Sequence, residues 1–231
     1  IFSSIVAMSN KIDNLMALFS VGKIPTGSKD PFALRRAALG VVKIAIEHKL
    51  DIDFKTIIED LKVNYTNLDT KLLLEFFNER LFKIFDVNPT VLKAVLSSGE
   101  TNIYKIYQKV EALNPVVESD NFKDYSATFK RVANIVKDVD LSTDLNINNS
   151  LFEQNEEKEL YTNFEKIKAT NFLSFDEELE ALFDLKPQLD SFFEKVFVNH
   201  EDEKIKTNRK NLIAQVYLGF RNIADIKEIT I

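Results

Sequence analysis

Five glycines and five prolines are spread over 231 residues, below the average usage of about 7% and 5%. A chain with so few breakers has little means of making the many tight turns a sheet protein needs. No stretch keeps up a period-two alternation, whereas apolar residues recur at three- and four-residue spacing along most of the length. The expected fold class is therefore all-α, built from helical bundles.

The apolar stripes say where the helices should lie. Ile5, Ile12, Leu15, Met16 and Phe19 mark the first, over residues 2–19. Gly22, Pro25, Gly27 and Ser28 define a loop. Asp30 is then placed to cap a second helix, with Pro31 at its first position, where a missing N–H is no loss. That helix should run to about His48 and is apolar nearly all round, through Phe32, Leu34, Leu39, Val41, Val42, Ile44 and Ile46. Its polar stripe of Arg36, Lys43 and Glu47 spans only about 40° at 100° per residue, which predicts a place near the middle of a bundle. Further helices are expected over 54–61, 69–85, 89–99, 102–113, 119–138, 151–171, 175–196 and 201–222. Pro115 should separate two of these and Pro187 should break another, while the polar stretch 139–150 reads as a loop. Nearly all of the 19 phenylalanines fall on the stripes, so core packing accounts for them.

Several function classes drop out on residue type. Without cysteine there is no disulfide scaffold, zinc finger or thiol nucleophile. Two histidines, His48 and His200, leave no metal cluster and little for a Ser-His-Asp triad. The apolar runs are far shorter than the roughly 20 residues that span a bilayer, and no secretory signal is present. The first residue is Ile1, so the chain is expected to be part of a longer polypeptide, soluble and cytoplasmic.

The net charge of −6 conceals an uneven distribution. Asp138 to Asp190 holds 14 acidic and 4 basic residues, whereas Lys23 to Lys49 holds 6 basic and 2 acidic. Lys204, Lys206, Arg209 and Lys210 form a short basic run. On the helix over 119–138, Lys130, Arg131, Asn134 and Lys137 lie opposite the stripe of Phe122, Tyr125, Phe129, Val132 and Val136, so they should be exposed. Arg209 falls inside the apolar arc of Ile205, Leu212 and Val216, where it must either find an internal carboxylate or face a partner. Arg35 lies about 100° off its helix's polar stripe and should pair internally, with Asp30 or Asp13.

Six segments, in order, carry a resemblance: SNKIDNLMALFSVG (Ser9–Gly22), GSKDPFALRRAALGVVKI (Gly27–Ile44), FFNERL (Phe76–Leu81), KRVANI (Lys130–Ile135), LDSFFEKVFVNHEDEKIKTNRKNLIAQV (Leu189–Val216) and IADI (Ile223–Ile226). Together they resemble the C-terminal part of the β subunit of bacterial heterotetrameric glycine–tRNA ligase. The resemblance implies that residues 1–98 are the end of an HD-like helical region and its linker. Residues 99–231 would be an anticodon-binding helical bundle of the DALR type. In that family the α subunit holds the active site with ATP, Mg and glycine, and the β subunit supplies tRNA binding within a heterotetramer of two α and two β subunits. The implied partners are glycine tRNA and the α subunit, with no membrane. No catalytic residue, metal ligand or cofactor is expected within this chain. Asn10 stands where the family carries Asp, and the paired His-Asp of an HD site is absent, so metal-dependent phosphohydrolase activity is not expected.

Glycine anticodons share cytosines at their second and third letters. A cytosine reader needs an acceptor for the N4 amine and donors for O2 and N3, and loop bases are splayed out to be read in this way. The candidates are Lys130, Arg131, Asn134 and Lys137 on one helix and Lys206, Asn208, Arg209 and Lys210 on the last. Arg131 and Arg209 suit a base edge or a bidentate phosphate contact, and the lysines suit phosphates. The acidic block should face away from RNA. In DPFALRR, packing and capping explain the basic pair. The alternative function is a helical assembly module that contacts the α subunit without reading the anticodon.

Overall fold

A computed structural model describes residues 1–230 and, among these, eleven α-helices with no strand beyond an isolated bridge between Asp53 and Asn102. The chain divides into two compact units, residues 1–92 with 99–108, and residues 93–98 with 109 onward.

The first unit holds α1 (Phe2–Ser20), α2 (Leu34–Glu47), α3 (Phe54–Leu61), α4 (Thr70–Leu81) and the opening residues of α5 (Pro89–Ser97) and α6 (Ile103–Glu118). α1 buries Met8, Ile12, Leu15, Met16 and Phe19, one per turn or closer, against α2 and α4. The ring of Phe19 meets Phe76 of α4 edge-on at 5.1 Å, and Phe54 of α3 stacks on Phe77 at 3.8 Å. Each such side chain taken from water contributes roughly 1.5–3 kcal/mol. Asp53 caps α3, accepting from Thr56 N at 2.7 Å, and its other oxygen accepts from Thr101 Oγ1 at 2.6 Å, so one carboxylate ties two segments together.

α2 differs from its expected form in two ways. It starts at Leu34, because Pro31 and Phe32 sit in a turn closed by the Ala33 N–H on the Asp30 carbonyl, with Ala33 left-handed at φ 58°. Asp30 still caps it from outside, accepting from Leu34 N at 2.8 Å and Arg35 N at 3.1 Å. Only one face is buried, that of Leu34, Ala38, Val41, Val42 and Ala45, while Leu39, Ile44 and Ile46 stay partly exposed and Phe32 is exposed. α2 is thus a wall of its bundle and not its centre. α4 stops four residues early, as Lys83 and Ile84 donate three residues back to Arg80 and Leu81 and tighten the chain into turns.

The second unit is built from the rest of α5 and α6 with α7 (Phe122–Ile135), α8 (Asn155–Ala169), α9 (Phe175–Phe183), α10 (Lys186–Lys195) and α11 (Glu203–Arg221). Pro115 does not end α6. It forfeits one backbone bond, but buried Leu113 and Val117 hold the turn around it and the helix closes within one turn, at Glu118. Pro187 sits in the first turn of α10, where it is tolerated, and does separate α9 from α10.

α11 is the axis of this unit, packing on α7, α8 and α9 and burying Leu212, Ile213, Ala214, Val216, Tyr217 and Phe220. Phe220 meets Phe129 of α7 at 4.2 Å and Phe183 of α9 at 5.4 Å, closing a three-ring core. Gly219 is where α11 comes closest to its neighbours. A Cβ there would stand 3.0 Å from the Phe164 ring and 3.4 Å from Leu182. Gly219→Val should therefore cost about 1–3 kcal/mol through overpacking, read as a lower urea midpoint; unchanged stability would mean the Phe164 ring has room to retreat.

The polar stretch 139–150 is a loop, but a pinned one. Asn208 accepts from Asn148 N at 2.7 Å and donates to Asn148 O at 3.2 Å, Asn211 donates to Asn146 O at 2.9 Å, and Gln215 donates to Leu145 O at 2.7 Å. Three amide side chains spaced along α11 thereby satisfy backbone that no helix or sheet satisfies.

Candidate nucleic-acid interface

The eight residues expected to face RNA do not share one surface. Lys130, Asn134 and Lys137 follow one another at helical spacing on the exposed side of α7 and its closing turn. They form one wall of a cleft of about 590 Å³, whose other lining comes from Tyr217 and Arg221 of α11 and from Lys227 beyond it. Ala133, Val136, Val139 and Leu141 supply the apolar part. Four cations and no carboxylate line this cleft.

Arg131, exposed on the same helix, turns to the other side. Its guanidinium lies 4.5 Å from the Phe193 ring centroid and donates to Phe193 O at 3.1 Å. Lys206 is engaged by Glu203 at 2.9 Å one turn away, and Lys210 is half-buried outside the cleft.

Asn208 and Arg209 are corrections. Asn208 is buried and holds the Asn148 backbone with both ends of its amide, so neither end is left for a base. Arg209 is 2% exposed. Its Nε donates to Glu157 at 2.9 Å, Nη2 to Glu153 at 2.9 Å and to Glu157 at 3.2 Å, and Nη1 to Phe197 O at 3.0 Å. Glu157 is fully buried and with its other oxygen caps α8, accepting from Glu153 N at 3.0 Å and Gln154 N at 2.8 Å. Burial alone would pull the Arg209 guanidinium down, but the Glu157 and Glu153 bonds and charges outweigh it and hold it above the usual arginine range. Of the two readings left open by the apolar arc, the internal ion pair is the one found.

Arg35 also pairs internally, with different partners from those expected. It donates to Gly27 O at 2.7 Å and Lys29 O at 3.3 Å, closing the preceding loop, while Asp30 is occupied as the cap and Asp13 accepts from Tyr65. The Asp13 carboxylate beside it pushes the Tyr65 phenol up to about 12. Arg36 is exposed.

Sequence reasoning missed Tyr217, Arg221, Asp225 and Lys227. Tyr217 and Arg221 are one turn apart on α11, yet only the packing of α7 against α11 and of the 226–228 turn against α7 makes them part of a cleft. Beneath the cleft, Asp225 is 2% exposed and accepts from Tyr217 Oη and Lys227 Nζ, each at 2.9 Å. Its own N–H donates to Ala94 O at 2.8 Å. Lys109 caps the end of α11, donating to Asn222 O at 2.7 Å.

Among the described residues, no three His, Cys, Asp or Glu side chains are grouped to hold a metal, and no helix is long and apolar enough to cross a membrane.

Comparison with known proteins divides the chain similarly. Residues 1–97 match a family described as glycyl-tRNA synthetase beta subunit, and residues 125–230 match the DALR anticodon binding domain. The whole chain is 42% identical to a glycine–tRNA ligase beta subunit of Helicobacter pylori (strain Shi470), covering 34% of that protein. Beta subunits of Sulfurihydrogenibium sp. and Clostridioides difficile (strain 630) are 32% and 33% identical over 98% and 97% of the chain, which covers 33% and 34% of their lengths. The chain thus spans about a third of the length of the curated relatives it matches.

Proposed function

The chain belongs to the glycine–tRNA ligase β-subunit family, and from that premise we propose that its second unit binds the anticodon region of glycine tRNA in the cleft between α7 and the end of α11. On this reading the chain is the tRNA-recognising, non-catalytic part of a ligase. ATP, Mg and glycine are handled by the α subunit, in a cytoplasmic heterotetramer of two α and two β subunits. Residues 1–98 would close the HD-like region, and residues 99–231 would be the anticodon-binding bundle.

The observation that carries the proposal is the cleft itself. Lys130, Lys137, Arg221 and Lys227 converge on one opening in a chain whose net charge is −6. Phosphate binding needs a local cationic surface, not a positive total. Apolar walls with an amide and several N–H donors also suit an unstacked base better than a duplex, whose bases stay stacked.

Binding of a labelled glycine anticodon stem-loop across a range of salt tests this. Affinity should fall steeply as salt rises, with a slope of about −0.7 per neutralised phosphate. Arg36→Ala should leave that affinity within about twofold, because Arg36 lies on the first unit, away from the cleft; a loss of tenfold or more would put RNA on α2.

A second reading, subunit assembly, is favoured by Phe2, Ile5 and Val6, all exposed on the first two turns of α1. Exposed apolar side chains clustered on one face mark protein contacts. Loss of RNA binding by the folded chain with α-subunit association intact would favour it.

A further inference from the structure

We infer that Asp225 is a positioning residue that holds Lys227 at the floor of the cleft as a fixed donor selecting cytosine over uracil. The inference rests on the anticodon-binding reading and adds to it the residues that discriminate.

Asp225 and Lys227 form an unequal pair. The carboxylate is buried at 2% exposure, while the lysine side chain keeps 51% of its surface and lines the cleft. Ile223, Ala224 and Ile226, all buried, and the bond from Asp225 N to Ala94 O fix the backbone that carries the carboxylate. Both carboxylate oxygens are used, one by Tyr217 Oη and one by Lys227 Nζ, and Nζ also lies 3.5 Å from Tyr217 Oη. An ammonium has three N–H groups. Those not spent on Asp225 and Tyr217 are left to face whatever enters the cleft. A surface lysine normally samples many rotamers; this one is anchored from beneath by a group that cannot move.

The same network sets protonation. Its hydrogen bond to Asp225 raises Lys227, and burial followed by the Asp225 bond pushes the Tyr217 phenol up. Lys227 is therefore a cation, and Tyr217 an uncharged donor to Asp225, throughout the neutral range.

The pairing edge of cytosine presents acceptors at O2 and N3 beside the N4 amine, whereas uracil carries a proton on N3. Fixed donors from Lys227 and Arg221 thus complement cytosine, and they meet an N–H of their own kind in uracil. Asn134, on the α7 wall, offers an amide oxygen for the N4 amine, and Ala133, Val136, Val139 and Leu141 are apolar surface for the ring. Lys130 and Lys137 are then left for the flanking phosphates, which add affinity without discrimination.

The test uses the intact β subunit and two probes, the glycine anticodon stem-loop and the same loop with one anticodon cytosine replaced by uracil. For the wild type, replacement of the cytosine that occupies the cleft should weaken binding by about tenfold or more. Asp225→Asn and Lys227→Met should both bring that ratio close to one, while binding of the uracil loop falls no more than severalfold. Lys227 is exposed, so Lys227→Met folds even if Asp225→Asn does not. Ratios unchanged in Lys227→Met, equal losses for both loops, or a wild type indifferent to the replacement would each overturn the inference. Failure of the wild type to bind either loop would instead overturn the anticodon reading beneath it.

Discussion

Arg209→Ala should lower the stability of the second unit by about 3–5 kcal/mol, because it strands a fully buried Glu157 without its counter-charge. The loss is expected to be larger than that of a typical surface substitution by several kcal/mol. Three structural elements depend on this arginine: the cap of α8 through Glu157, the Glu153 side chain, and the carbonyl of Phe197 ahead of α11. The double variant Arg209→Met, Glu157→Leu separates charge from packing. Removing both charges together should restore most of the stability, since a buried ion pair contributes little beyond what an apolar pair of similar size would. Chemical denaturation followed by circular dichroism measures both. A single variant within 1 kcal/mol of wild type would mean that the pair is solvated. A double variant as unstable as the single would mean that hydrogen bonds to the backbone, not charge balance, matter most.

The triple variant Lys130→Gln, Lys137→Gln, Arg221→Gln should keep the fold and lose affinity for the glycine anticodon stem-loop on the order of a hundredfold near 0.1 M salt. Each of the three lines the cleft, and Lys130 and Lys137 are exposed, so their removal leaves no buried charge behind. The slope of log affinity against log salt should shrink by about 2, in line with about 0.7 per lost phosphate contact. Lys206→Gln is the matched control. Its ammonium is already engaged by Glu203 at 2.9 Å and lies outside the cleft, so its effect should stay within about twofold. Equal losses from the control and the triple variant would mean diffuse charge attraction and not a site.

Much of the fold was legible in advance because it depends on local pattern. The spacing of Leu73, Phe76, Phe77 and Leu81, or of Phe122, Phe129, Val132 and Val136, marks a buried face whatever lies opposite. Asp53, Asp69, Ser174 and Asp202 each cap the helix that follows, as short polar residues before an apolar stripe should. The misjudged helix ends at Pro31 and Pro115 have one physical cause. A proline removes one donor and restrains one torsion, and whether the chain turns or continues there depends on its neighbours: a left-handed Ala33 in one case, the buried Leu113 and Val117 in the other.

The candidate site was legible only by halves. Lys130, Asn134 and Lys137 could be read from one helix, since their exposure follows from lying opposite an apolar stripe. Arg221 and Lys227 join them only through tertiary packing, and no periodicity within α11 or the tail announces it. Arg209 shows the reverse. Its sequence position inside an apolar arc was informative about burial and silent about the partner, because Glu153 and Glu157 lie more than fifty residues away. Asn208 looked like a base reader for the same reason that it serves as a backbone clamp, since one amide carries both a donor and an acceptor.

The most direct measurement is photo-crosslinking from the anticodon itself. A glycine anticodon stem-loop carrying 5-iodocytidine at the second or third anticodon position would be irradiated with the intact β subunit, and the adducts mapped by mass spectrometry. The account predicts adducts on residues that line the cleft, within 130–141 or 217–227. Adducts confined to the first unit or to the acidic helices α8 and α9 would contradict it.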